Sequence, residues 1–271
     1  MPVETTPAVT AAFAAQIGLL LSGCWVLWRF QRRRQGSVPA RLSRWEISGF
    51  EFALAAFFVL SGAFAGQLLM AMVPIADPDH QLIAQSAGFQ GGLLLGVGAS
   101  ALALRRPRPA ESAAEPAPSA LVAGGLTFLG CLPIVFLVAA AWNFVLERLG
   151  FPIERQDMLG IFSRAESPLL VALMVFLVVI VAPVVEELVF RAGLFRFLRL
   201  RVPRGVALVL PAVVFGSLHG NLVAVVPLAT LGIIFSLAYE RTGRIAVPII
   251  AHALFNLNTV VLVLLGVTAE T

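Results

Sequence analysis

The sequence predicts an all-α, polytopic membrane protein built as a bundle of about eight transmembrane helices. Three observations predict it. The chain is 59% hydrophobic and only 13% charged over 271 residues, with a mean hydropathy of +0.93, a composition outside the range of soluble domains. Eight apolar runs can be read, at 9–28, 47–73, 83–104, 120–146, 168–195, 205–219, 222–239 and 245–266. Most reach the ~20 residues that a spanning helix needs. The basic residues, 19 in number and all arginine, gather in alternate connections between the runs. Backbone polar groups in lipid must be satisfied within their own segment, so spans of this kind are helical.

The N-terminus, MPVETTPAVTAAF, carries Glu4 and no basic stretch. The first run therefore reads as a retained helix, not as a signal peptide. The second run holds Gly62 and Gly66, and the third holds Gly88, Gly92 and Gly96. Small residues four apart let helix backbones approach closely in a bilayer. His80, in the sequence DPDH, is expected in a solvated outer turn. Cys24 and Cys131 fall inside apolar runs and read as small packing residues, not as a disulfide framework. Residues 105–119 are Pro- and Ala-rich and polar, the composition of a flexible linker. They divide an N-terminal three-helix region, 1–104, from a C-terminal five-helix region, 120–271. Residues 147–166 form a mixed-charge outer loop, expected to include a short interfacial helix. The sixth run is the shortest.

The arginines set the topology. Segments 29–44, 105–108, 196–204 and 241–244 hold 6, 3, 4 and 2 of them, while the alternate connections hold only Arg148, Arg155 and Arg164. Positive-inside counting places the first set in the cytoplasm and both termini outside. The expected location is therefore an inner, cytoplasmic membrane, with membrane lipid as a standing partner. The sequence pI near 10.3 reflects this loop bias. No nucleic-acid-binding motif accompanies it, and no nucleic-acid partner is expected.

Against this apolar background a few ionisable residues stand out, because charge at membrane depth is costly and usually functional. Glu186 and Glu187 lie in LLVALMVFLVVIVAPVVEELVF, and Arg191 follows. Glu187 and Arg191 are four apart and share a helix face, so they can neutralise each other. Glu186 is rotated by about 100° from Glu187 and is left as an unpaired carboxylate, a candidate base for water. Pro183 just before it can kink the helix and free a carbonyl. Two of the three histidines also lie in apolar runs, in Phe215–Gly–Ser–Leu–His219 and His252–Ala–Leu–Phe–Asn256. Each pair of named ends is expected on one helix face. A His/Asn pair can donate to a developing oxyanion, and a His facing a Glu can orient an attacking water.

Depth brings these groups together. Counting from the flanking arginines at ~1.5 Å per residue, Glu186 lies about 15 Å, His252 about 12 Å, Asn256 about 18 Å and His219 about 22 Å below the cytoplasmic edge. Three helices thus carry polar groups into one slab, which predicts a water-filled cavity open to the cytoplasm.

The three motifs EELVFR at 186–191, FGSLH at 215–219 and HALFN at 252–256 resemble the EExxxR, FxxxH and HxxxN pattern of the CAAX protease and bacteriocin-processing family, also called the Abi family. The resemblance covers about 168–260. It implies a glutamate-dependent intramembrane endopeptidase, with 120–271 as the catalytic domain. By position it makes Glu186 the general base, His219 its partner on the water, and His252 and Asn256 the oxyanion site. Glu187 and Arg191 become a supporting ion pair, and Phe215 a supporting residue. The implied substrate is a membrane-associated peptide or a lipidated, CAAX-like protein. No cofactor is expected, since no HExxH occurs; Glu/His/His zinc ligation is the alternative. Two rival functions stay open: a non-catalytic membrane scaffold or immunity protein, and a proton-coupled transporter, which lacks the expected internal repeat.

Overall fold

The computed structural model describes residues 6–32, 41–104, 119–153, 167–265 and 267. The described residues form eight helices in chain order: α1 Pro7–Arg32, α2 Gly49–Ala71, α3 Pro78–Ala103, α4 Ala120–Arg148, α5 Pro168–Leu198, α6 Arg204–Ser217, α7 Leu222–Thr242 and α8 Ala246–Leu264. No strand occurs among the described residues. Seven of the helices are long and apolar enough to cross a membrane. The eighth, α6, has 14 residues, about 21 Å of rise, short of the ~30 Å hydrocarbon core. The protein is an integral membrane protein. Large apolar side chains such as Phe57, Phe64 and Leu68 on α2 are exposed, as lipid-facing positions are. Most of the proposed linker and the expected interfacial helix in 147–166 lie outside the described residues.

Helix starts follow local capping chemistry. Ser48 and Glu51 form a capping box at α2, with Glu51 N–H donating to Ser48 Oγ at 3.1 Å and Ser48 N–H to Glu51 Oε2 at 2.7 Å. Ser119, Ser167 and Asn221 cap α4, α5 and α7. Gly243, at φ 67°, ends α7 in the left-handed conformation that suits glycine. Asp77 caps α3 and Pro78 opens it. That corrects the expectation for His80, which sits in the first turn of α3 with Nδ1 3.1 Å from Asp77 Oδ1. Accepting the His80 backbone N–H holds the Asp77 carboxyl below its usual range.

The glycines expected to seat α2 on α3 do so. A Cβ at Gly66 would stand 2.0 Å from Gly88 O, and one at Gly92 would stand 2.0 Å from Gly62 O. The α2–α3 hairpin then docks on the middle of α5 through Ala63, Leu93 and Val185. Helix α1 lies along α4, where Gly23 meets Leu129 O and Pro133. Helices α4, α7 and α8 share a core of Phe128, Cys131, Leu132, Leu231, Phe235 and Ala251. Cys131 is a packing residue there, whereas Cys24 is exposed on α1, which corrects that half of the expectation.

One end of the bundle is tied by the arginine-rich connection between α5 and α6. Buried Glu240 accepts from Arg199 Nε at 3.0 Å and from Arg204 Nη2 at 2.7 Å. Its backbone carbonyl accepts from Arg41 and Leu42 N–H. Segment 41–48 is thereby laid across the ends of α5, α6 and α7. Arg196 adds a bond to Ser43 Oγ at 2.8 Å, and Arg201 donates to the Ile47 carbonyl.

Candidate active site

The site is built on α5, which is not uniform. Two π-helical stretches, Leu177–Val181 and Leu188–Phe195, flank a short α-helical piece, Ala182–Glu187. Wide turns of this kind are rare and concentrate at functional sites. Their local cause is readable. Ala182 N–H reaches back to Leu177 O, five residues away. The next bond in that pattern would join residue 183 to Val178 O, but residue 183 is proline and has no N–H. The orphaned Val178 carbonyl accepts instead from Asn256 Nδ2 at 2.8 Å.

The Ala182–Glu187 piece carries both carboxylates. Glu187 is 0% exposed and Arg191 1%, and their ion pair closes at 2.9 Å. A charge pair at that depth needs further partners to offset desolvation. Glu187 Oε1 also accepts from His252 Nδ1 at 2.9 Å. The Arg191 guanidinium lies over the rings of Phe215 and Phe235, at 4.7 and 5.5 Å, where the ring quadrupoles favour a cation. Gly232 leaves the room, since a Cβ there would stand 3.2 Å from Arg191 Nη2. Glu187 Oε2 and Arg191 Nη2 have no hydrogen-bond partner among the described residues.

Glu186 points the other way. Its side chain is 17% exposed, and Oε2 lies 3.8 Å from His252 Nε2. That is beyond a direct hydrogen bond and within the reach of one water touching both. Glu186 Oε1 accepts from Gln90 Nε2 on α3 at 3.4 Å. So Glu186 is not unpartnered, as its sequence position suggested. It has a neutral donor instead of a cation.

The two histidines are held alike. His252 Nδ1 faces a carboxylate oxygen and His219 Nδ1 faces the Phe215 carbonyl at 2.8 Å. Neither oxygen can donate, so each Nδ1 carries the hydrogen and each Nε2 is left for chemistry. His219 does not lie on a helix, contrary to the face argument. Helix α6 ends at Ser217, and His219 sits in the turn before Gly220, whose φ is 66°. That glycine reverses the chain before Asn221 caps α7. The His219 ring still packs on Phe215, at 5.0 Å between centroids, and Phe215 in turn meets His252 at 5.9 Å.

Glu186, Glu187, Arg191 and His252 are thus in one cluster, with His219 one aromatic ring away. Asn256 lies one helical turn along α8 from His252, bonded to α5 backbone. Its described bond does not reach the other site side chains. Gln90, Gly232 and Phe235 are site residues that motif reading missed. The available signal for Gln90 was an amide inside an apolar, glycine-rich run. Phe235 and Gly232, three apart on α7, look like ordinary core. Among the described residues, no group of three His, Cys, Asp or Glu side chains is arranged to hold a metal ion.

Known proteins match the part of the chain that carries these residues. The profile of the type II CAAX prenyl endopeptidase Rce1-like family matches residues 168–258. YdiL of Bacillus subtilis, provisionally named a membrane peptidase, is 35% identical over 92 residues, which are 34% of this chain and 38% of that protein. The membrane-embedded CAAX protease MroQ of Staphylococcus aureus is 35% identical over 102 residues, 35% of this chain and 41% of that protein. The chain therefore spans about two fifths of the length of these relatives. No solved structure matches. Residues 168–258, from α5 to α8, where the buried carboxylates and both site imidazoles lie, are similar to the type II CAAX prenyl endopeptidase Rce1-like family.

Proposed function

We propose that the protein is a membrane-embedded endopeptidase in which Glu186 activates water. The observation that carries this reading is the 3.8 Å gap between Glu186 Oε2 and His252 Nε2, with His252 Nδ1 already committed to Glu187. One proton shared across that gap brings the Glu186, Glu187, Arg191 and His252 cluster to zero net charge. A neutral cluster is the least costly state at membrane depth. It also leaves a mobile proton next to a base.

In the proposed reaction Glu186 takes a proton from water, and the hydroxide forms a bond to the peptide carbonyl carbon. His219 Nε2 orients that water. The oxyanion of the tetrahedral intermediate receives hydrogen bonds from His252 and from the second N–H of Asn256. Protonated Glu186 then gives its proton to the leaving amine as the C–N bond breaks. The Glu187–Arg191 pair holds His252 in its tautomer. The proposed reaction uses no metal ion; Glu/His/His zinc ligation is the alternative.

The substrate class is a peptide presented at the membrane. A C-terminal CAAX-type peptide is the first to test, given the family and the name of MroQ. The arginine-rich connections support a cytoplasmic membrane with the site opening towards the cytoplasm. Cleavage of such peptides by purified protein in detergent tests the reading. Glu186→Ala and His219→Ala are expected to lose about 10²-fold or more in turnover. Equal cleavage by wild type and both variants defeats it. A Glu186→Gln protein that keeps full cellular function points to a scaffold instead.

A further inference from the structure

We propose that Gln90, on the α2–α3 hairpin outside the family-matched segment, is a positioning residue that aims and polarises the Glu186 carboxylate. The role in hydrolysis rests on the peptidase reading above; the Gln90–Glu186 link does not.

Gln90 sits mid-membrane, 13 residues before the end of α3 at Ala103, or about 20 Å along the helix. An amide there is costly unless it is paired. Its Nε2 donates to Glu186 Oε1 at 3.4 Å. Its Oε1 is buried and has no hydrogen-bond partner among the described residues. A residue serving only to tie two helices would be expected to satisfy both ends of its amide. This one spends its donor on the proposed base.

The position is built, not incidental. Gln90 stands between Gly88 and Gly92, whose backbones touch Gly66 and Gly62 of α2. Leu93, one turn on, packs with Ala63 against Val185, the neighbour of Glu186. These contacts leave α3 little freedom to slide along α5. The charged or titratable groups near Glu186 are Glu187 and Arg191 from α5 and His252 from α8. From α3 the described contact is Gln90 alone. Among the described residues the amide is the neutral donor to Glu186. Loss of the donor leaves the Glu186 carboxyl group free to rotate.

The test compares wild type, Gln90→Met and Leu93→Ala as full-length protein in detergent. Two readouts are used: kcat and KM for peptide cleavage, and the infrared carboxyl band assigned by its loss in Glu186→Gln. Gln90→Met keeps the side-chain size. It is expected to lower kcat about tenfold with KM little changed. The infrared band should change frequency, because the carboxyl group loses a hydrogen-bond donor. Leu93→Ala, at the same helix contact, should lower the melting temperature and leave the infrared band in place. The proposal is overturned if Gln90→Met leaves the band unmoved, or if Leu93→Ala moves it equally. A wild type that cleaves no peptide, with a band that still moves in Gln90→Met, retires the peptidase reading and supports the Gln90–Glu186 link.

Discussion

His252 and Glu187 lie 65 residues apart, on α8 and α5, and meet through one 2.9 Å hydrogen bond from Nδ1–H to Oε1. The bond does two things. It adds a partner to a fully buried carboxylate, and it turns the other imidazole nitrogen towards Glu186. Stability and proposed chemistry therefore share a single contact.

His252→Ala should damage both. It removes a neutral partner from a buried charge, at a cost of about 1–3 kcal/mol. It should also abolish peptide cleavage. His219 is half-buried and bonded to a carbonyl at a chain turn, so His219→Ala should abolish cleavage with a smaller loss of stability. Thermal unfolding in detergent separates the two. A His252→Ala protein no less stable than His219→Ala contradicts this arrangement.

The Asn256 bond to Val178 O exists because Pro183 cannot supply an N–H. Asn256→Ala should therefore cost about 1–3 kcal/mol through an unsatisfied carbonyl. Pro183→Ala returns a backbone donor to that site. In the Asn256→Ala background it should recover part of the loss, which makes the double-mutant cycle non-additive by about 1 kcal/mol. Strict additivity in chemical unfolding would show that the two residues do not share the carbonyl.

Neighbouring glycines on one hairpin should behave oppositely. A Cβ at Gly66 meets Gly88 O at 2.0 Å, whereas one at Gly91 meets nothing within 4 Å. Gly66→Ala should separate α2 from α3, cost about 1–3 kcal/mol and reduce cleavage by displacing Gln90. Gly91→Ala should stay within about 0.5 kcal/mol of wild type. A silent Gly66→Ala would mean that the close approach is not required.

Chelation addresses the metal-free proposal directly. Cleavage should persist after treatment with EDTA or phenanthroline, and added zinc should not raise it. Loss of activity that zinc restores would replace the water-on-glutamate scheme with a metal-bound one.

The sequence by itself determined the class and which ionisable residues lie at membrane depth. Lipid penalises charge and unpaired backbone whatever the tertiary arrangement, so apolar runs and the few ionisable residues within them are legible one residue at a time. The Glu187–Arg191 pair was legible for the same reason, being local to one helix. Even the short sixth run was visible by its length. What the tertiary structure decided is which side chains face each other across helices. The π-helical stretches in α5 change the rotational phase of everything beyond them. The turn at Gly220 takes His219 off its helix face, and the Gly66–Gly88 contact sets how far α3 reaches along α5. Those offsets send Asn256 to Val178 O, His252 Nδ1 to Glu187 and Gln90 to Glu186. No repeat of 3.6 residues contains them, because axial shift and rotation between rigid helices depend on where backbones touch.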